Sequence, residues 1–151
     1  MIETIQLAPG FHISRVLTGL WQIADMEKEG ATLDPIATSE TMAPYVEAGL
    51  TTFDMADHYG SAEVIAGTFR HQHPLGKQAQ LCTKWVPKPG QSSKSETRAA
   101  IQLSLDRLQV SSIDLLQYHC WNYPDPIWLD QLFWLQELKE EGLIKNLGLT
   151  N

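Results

Sequence analysis

Residues 50–63, Leu50-Thr51-Thr52-Phe53-Asp54-Met55-Ala56-Asp57-His58-Tyr59-Gly60-Ser61-Ala62-Glu63, decide how the rest of the chain is read. Leu50 to Asp54 is a short run of apolar and β-branched residues behind a stop at Gly49, which reads as a buried strand. Ser61 to Phe69 carries Val64, Ile65 and Phe69 at helical spacing, with Ser61 and Glu63 at its start. A strand therefore feeds a helix through a loop dense in ionisable side chains.

The same unit recurs on either side. Upstream, Thr4 to Leu7 and Phe11 to Ser14 flank Ala8-Pro9-Gly10 and read as a β-hairpin. Arg15 to Leu20 reads as a first buried strand. Asp34-Pro35 offers an N-cap followed by proline at the first helical position, and that helix is expected to run through Met42 and Val46 to Gly49. Downstream, Ala79 to Lys84 is a third strand, followed by a loop rich in proline, glycine and serine. Ser95 to Leu108 is an amphipathic helix with Ile101, Leu105 and Leu108 on one stripe. Ile113 to Tyr118 is a fourth strand, Asp130 to Glu141 a helix stopped by Gly142, and Asn146 to Thr150 a fifth strand.

Strands joined by helices at intervals of roughly 30 residues are βαβ units, whose right-handed crossovers make the strands parallel. No linker or low-complexity segment divides the 151 residues, so one domain is expected. Five such strands fit a complete doubly wound sheet of flavodoxin type, for which this length is ordinary. They also fit the first part of an eight-stranded barrel, which needs about 250 residues.

Composition narrows the function. Hydrophobic residues make up 43% of the chain, enough to bury a core. Eleven basic residues stand against 18 acidic ones, a formal charge of −7, with no basic block, which argues against a nucleic-acid partner. No run of 18 apolar residues suggests a membrane span, and the first 20 residues lack the pattern of a secretory signal. Cys82 and Cys120 make no disulfide framework, so the cytoplasm or another reducing compartment is expected. Cys82, inside a strand, reads as a small hydrophobe; Cys120 reads as accessible but without an activating base.

Parallel strands bring all their C-terminal ends to one face, where ligands bind in either architecture. Those ends carry Thr18 and Trp21, Asp54 and Tyr59, Lys84 and Trp85, His119 and Trp121, then Thr150 and Asn151. Alone, Asp54 would cap a turn, Lys84 would be a solvated charge and His119 a satisfied core histidine. Together they are chemical equipment. A phenol titrates near pKa ~10, and an adjacent ammonium favours its phenolate, which suits it to acid–base work. A carboxylate would hold the ammonium, and a histidine would donate a hydrogen bond to a carbonyl oxygen. Such a set can protonate a carbonyl oxygen as it becomes an alcohol, while the hydride must come from a cofactor.

These residues resemble the aldo-keto reductases. Phe53-Asp54-Met55-Ala56-Asp57-His58-Tyr59-Gly60, with Glu63 following, is similar to the family signature FDTAxxYG, departing from it at Met55. Thr83-Lys84 is similar to the strand that ends in the family's lysine. Ser104 to Leu108 and Ile113 to His119 resemble the segment that ends in its histidine, and Leu138 to Asn151 the stretch that ends in a Ser-Asn pair.

The resemblance implies an α/β fold of the (β/α)8 TIM-barrel type, of which the first five strands and four helices are present behind a short N-terminal β-hairpin. Residues 1–151 would form a single incomplete domain, the N-terminal portion of the barrel. It implies Tyr59 as proton donor, Lys84 and Asp54 as its tuning pair, and His119 orienting the carbonyl. It implies NADPH, rather than NADH, held by Gly19, Leu20, Trp21, Asp54, Thr150 and Asn151 without a GxGxxG fingerprint. A small-molecule carbonyl substrate would meet Trp21, Trp85 and Trp121.

Three other readings compete. His71-Gln72-His73, with Asp54, Asp57 and His58, has metal-ligand composition, but the HxH pair follows a helix and belongs to the opposite rim, so no metal is expected. A non-catalytic NADPH-binding or regulatory protein, similar to potassium-channel β subunits, would share the motifs. A flavodoxin-like domain would carry a phosphate loop after its first strand, and Gly19-Leu20-Trp21-Gln22 is not one. Oligomeric state is not legible.

Overall fold

A computed structural model describes residues 2–24 and 33–150. The chain opens with an antiparallel hairpin of β1 (Thr4–Ala8) and β2 (Phe11–Ser14), turned at Gly10, whose φ of 73° lies in the region glycine adopts without strain. Five parallel strands follow: β3 (Thr18–Gly19), β4 (Thr52–Asp54), β5 (Gln80–Trp85), β6 (Leu115–His119) and β7 (Leu147–Thr150). Their order in the sheet is their order in the sequence, with Asp54 beside Cys82 and His119 beside Thr150.

The helical segments are α1 (Pro35–Ser39), α2 (Ala43–Glu47), α3 (Ala62–Gln72), α4 (Lys94–Leu108) and α5 (Ile127–Glu140). Each of α1, α3 and α4 packs against the next long helix along the outer face of the sheet. The arrangement is the expected one: an N-terminal hairpin, then five strands and their helices of a barrel.

Side chains alternate between the two faces of a strand. Phe53, Leu81, Leu116 and Tyr118 join the main core under the helices. The other face carries Cys82 and Leu115, which pack with Phe11 and Ile13 of the hairpin. The hairpin thus plugs one end of the inner face. Two residues further along β5 and four along β6 lie Lys84 and His119, on the same face and at the opposite end.

Two elements depart most from expectation. The first strand is confined to Thr18–Gly19, and Arg15, Val16 and Leu17 are exposed. Arg15 N–H donates to Glu3 O at 2.9 Å, so this stretch still follows the hairpin and enters the parallel sheet only at Thr18. The expected helix from Asp34 to Gly49 is broken into α1, a 3₁₀ turn at Glu40–Met42 and α2. Pro44 has no N–H to continue an α-helical ladder, and its ring crowds the preceding turn. The cap at Asp34 is as expected, its carboxylate accepting from Ile36 N–H at 3.0 Å. Among the described residues, no helix is long and apolar enough to cross a membrane.

Candidate active site

The loop after β4 is stapled to the strand beside it. Met55 N–H donates to Cys82 O, and Asp57 N–H to Lys84 O, each at 2.9 Å. Gly60, at φ 46°, lets the chain turn into α3 directly after Tyr59. Arg107, from the last turn of α4, reaches back to donate to Asp57 O at 2.9 Å. This anchoring places Tyr59 over the end of β5.

Lys84 is buried, and its ammonium has three acceptors: Asp54 Oδ1 at 2.8 Å, Asp54 Oδ2 at 2.7 Å and Met55 O at 2.8 Å. Three N–H groups thus match three oxygens. Lys84 Nζ lies 5.1 Å from the centre of the Tyr59 ring, so it acts on the phenol through its field across the ring. Trp21 meets the same ring edge-on, with centroids 4.7 Å apart and planes at 89°. His58 closes the other side at 4.9 Å, its Nδ1 held 3.0 Å from Asp57 Oδ1.

His119, at the end of β6, stacks under Trp121 with ring centroids 4.4 Å apart. Burial lowers its pKa, Lys84 and the neighbouring His58 lower it further, and Asp57 opposes them. The imidazole is therefore neutral at pH 7. Its Nε2 is shielded from solvent with no hydrogen-bond partner among the described residues. A shielded polar atom of this kind calls for a ligand group or a water.

The sequence-derived set converges only in part. Asp54, Tyr59, Lys84 and His119 share one rim, joined by Trp21 and by Thr150 in register with His119. Gly19 is exposed, with nothing within 4 Å of where a Cβ would stand. Leu20 is different: its side chain lies in the core and its N–H donates to Asp54 O at 2.9 Å. Trp85 is buried against Tyr118, 5.6 Å between ring centroids, while Trp121 is 68% exposed. Asn151 lies outside the described residues. Cys120, expected to be accessible, is buried, because its side chain joins the main core. Cys82 is buried too, and burial together with Asp114 and Asp54 pushes its thiol up to about 12.

His71 and His73 sit at the far end of α3, where His73 stacks on Phe69, so neither approaches the rim. No group of three or more His, Cys, Asp or Glu side chains able to hold a metal occurs among the described residues.

One component was not anticipated. Glu63, read as part of the helix start and of the family signature with no role of its own, is buried at the foot of the Tyr59 loop. It accepts from Thr83 Oγ1 at 2.7 Å and from Arg107 Nη1 at 3.3 Å. Burial raises its pKa, against hydrogen bonds from Thr83, Ser104 and Arg107. The sequence carried a signal in an Arg on the core-facing side of α4, which needs a buried partner.

A parallel barrel segment whose strand ends gather an aspartate, a tyrosine, a lysine and a histidine defines a class. The model of the Aldo/keto reductase family matches residues 15–151, and the chain belongs to that family. It is 32% identical over 126 residues to aflatoxin B1 aldehyde reductase member 2 of Rattus norvegicus, covering 81% of this chain and 34% of that protein. It is 30% identical over 169 residues to the uncharacterized oxidoreductase YcsN of Bacillus subtilis, covering 99% of this chain and 53% of that protein. The chain thus spans a third to a half of these curated relatives. Among solved structures, the holo form of an aldo-keto reductase from Bacillus halodurans superposes with a TM-score of 0.79 at 26% identity, covering 99% of this chain and 50% of that one. A Bombyx mori aldo-keto reductase in complex with NADP has the same fold, with a TM-score of 0.73 at 22% identity, covering 98% of this chain and 50% of that one.

Proposed function

We propose that this chain carries the proton-transfer half of an NADPH-dependent carbonyl reductase, converting an aldehyde or ketone to an alcohol. The observation that carries the reading is the Lys84 ammonium, fixed by Asp54 and Met55 O and set 5.1 Å from the Tyr59 ring. The rat relative is named for an aldehyde substrate, which agrees with it.

The residues at the rim fit the cofactor and substrate. His119 Nε2 is a shielded polar atom in want of a partner, and the space above Gly19 is open. Gly19, the Leu20 backbone, Trp21, Asp54, Thr150 and Asn151 would hold the nicotinamide end. NADPH, when bound, supplies the hydride that no side chain can.

The remaining steps belong to the chain. Neutral His119 donates a hydrogen bond from Nε2 to the carbonyl oxygen and fixes its direction. Tyr59 gives its hydroxyl proton to that oxygen as negative charge develops there. Lys84 then faces a phenolate, and its positive charge stabilises that form. Asp54 keeps the ammonium in place. Trp21 and His58, edge-on to Tyr59, hold the phenol ring against rotation and exclude water from its faces.

The test is NADPH oxidation by the full chain across a panel of aldehydes and ketones, with Tyr59→Phe as the comparison. Loss of the hydroxyl is expected to slow turnover by about 10²-fold or more. Turnover that survives the substitution unchanged overturns the mechanism.

A further inference from the structure

The turn that carries Tyr59 is shaped locally, by Tyr59 N–H to Ala56 O at 3.0 Å and Ala62 N–H to Tyr59 O at 2.9 Å. Bonds between such near neighbours leave the turn's height over the sheet to contacts from outside the loop. Those contacts fall on both sides of Tyr59. Upstream, the nearest is Asp57. Its N–H donates to Lys84 O and its carbonyl accepts from Arg107 Nη1, each at 2.9 Å. Its carboxylate accepts from Val86 N–H at 3.3 Å. Downstream, Glu63 is buried in the first turn of α3 and accepts from Thr83 Oγ1 at 2.7 Å. Arg107 Nη1 also stands 3.3 Å from Glu63 Oε2. One guanidinium nitrogen therefore joins the two anchors across Tyr59.

Both anchors end on one strand. Thr83 and Lys84 are consecutive in β5, and consecutive side chains leave a strand on opposite faces. Thr83 reaches the helix side and holds the Tyr59 loop through Glu63. Lys84 reaches the rim and holds the Asp54 carboxylate. The 5.1 Å between the Lys84 ammonium and the Tyr59 ring is thus set by the backbone of β5 and by the Arg107–Glu63 link. Misplacing a reacting group by about 1 Å can cost roughly 10²-fold in rate. A contact remote from the chemistry is sufficient to cause that.

We infer that Arg107 is a positioning residue for proton transfer: through Glu63, Thr83 and the Asp57 carbonyl it holds the Tyr59 ring at its distance from Lys84, touching neither phenol nor ammonium. The inference rests on the carbonyl-reductase reading for the reaction that the position serves. The placement of the ring is tested without it.

The experiment compares the full chain with Arg107→Met and Thr83→Val, and with Thr83→Ser, which keeps the hydroxyl. Each variant's melting curve checks its fold, and the near-isosteric Thr83 pair decides if Arg107→Met does not fold. Without cofactor, NOEs between the Tyr59 and Trp21 rings, whose centroids are 4.7 Å apart, report where the phenol lies. They are expected to be lost in Arg107→Met and Thr83→Val and kept in Thr83→Ser. NOEs unchanged in either folded variant that removes a contact overturn the inference. Turnover is the separate arm, read as NADPH oxidation with 4-nitrobenzaldehyde as probe. Both variants should lose about tenfold or more in kcat, with KM for NADPH unchanged. In a Tyr59→Phe background the same substitutions should cost little more, because the hydroxyl they place is gone. Equal losses with and without that hydroxyl, or an unchanged kcat when the NOEs are lost, overturn the positioning role and leave the reductase reading standing. NOEs lost in a chain without Tyr59-dependent turnover overturn the reductase reading instead and support the placement of Tyr59 by Arg107.

Discussion

Arg107 and Asp57 lie 50 positions apart in sequence, and a single hydrogen bond of 2.9 Å from the guanidinium to a backbone carbonyl ties the end of α4 to the loop that presents Tyr59. The same nitrogen faces the buried carboxylate of Glu63 at 3.3 Å. One side chain thus supports the loop and answers a charge beneath it.

Arg107→Met is expected to leave Glu63 buried without its ion partner and to release Asp57 O. Removing one partner of such a pair costs on the order of 3 kcal/mol. Urea unfolding should show this as a lower midpoint at unchanged slope. Adding Glu63→Gln to the variant should recover part of the loss, because the amide carries no charge. A double variant no more stable than Arg107→Met would show that the buried charge is not the cause.

Lys84→Met removes the positive charge beside Tyr59 and strands the Asp54 carboxylate. Turnover, where the wild type has it, is expected to drop by about 10²-fold. Asp54→Asn keeps the ammonium and its contact with Met55 O, so its loss should be smaller. Initial rates of NADPH oxidation rank the three proteins, and an Asp54→Asn protein slower than Lys84→Met would contradict the assignment of charge to Lys84.

Two carboxylates give the stability opposite dependences on pH. Burial pushes the Asp114 pKa up, but the hydrogen bonds from Leu81 N–H and Lys145 and the charges of Arg70 and Lys145 outweigh it, leaving the pKa below its ordinary value. The unfolded chain then binds the proton more readily, so the stabilisation from Asp114 is present above pH ~4 and is lost as pH falls through the folded pKa. Glu63 runs the other way. Its folded pKa is raised by burial, so its contribution is fully present below pH ~4.3 and falls as pH rises through the folded value. Unfolding measured from pH 3 to pH 8 should therefore show Asp114→Asn losing most relative to wild type near neutrality. Glu63→Gln should gain relative to wild type over the same rise. Parallel curves for either variant would overturn the corresponding assignment.

Gly67 is a point of close approach between α3 and α4. A Cβ there would stand 2.5 Å from Arg107 O and 2.6 Å from the Leu108 carbonyl carbon. Because these are backbone atoms at the end of a helix, they cannot move aside as a side-chain tip would. Gly67→Ala should cost about 1–3 kcal/mol by overpacking, despite alanine's better helix propensity. Thermal unfolding checks it, and a stabilised variant would mean that the two helices separate easily.

The architecture was legible because a strand, a loop and a helix recur with ordinary punctuation: Gly49 before β4, Asp34-Pro35 before α1, Gly142 after α5. What escaped was set by tertiary context. Pro44 sits inside an otherwise helical pattern, and its missing N–H outweighs the apolar spacing of Met42 and Val46. Arg15 to Leu17 look like a buried strand, yet the hairpin claims the Arg15 backbone first. At the site, Asp54, Tyr59, Lys84 and His119 could be gathered from their positions after the strands. Glu63 could not, since an acid in the first turn of a helix is ordinarily an exposed one.

The sheet order follows the sequence order without exception, and this bears on how the molecule forms. Among the described strands of the parallel sheet each pairs with its predecessor in sequence, so loop closure between these neighbours stays short. The Asp54–Lys84 pair can close as soon as β5 lies beside β4, and His119 arrives with the next strand. During synthesis the four rim groups would therefore be assembled in order, each added to a platform already in place.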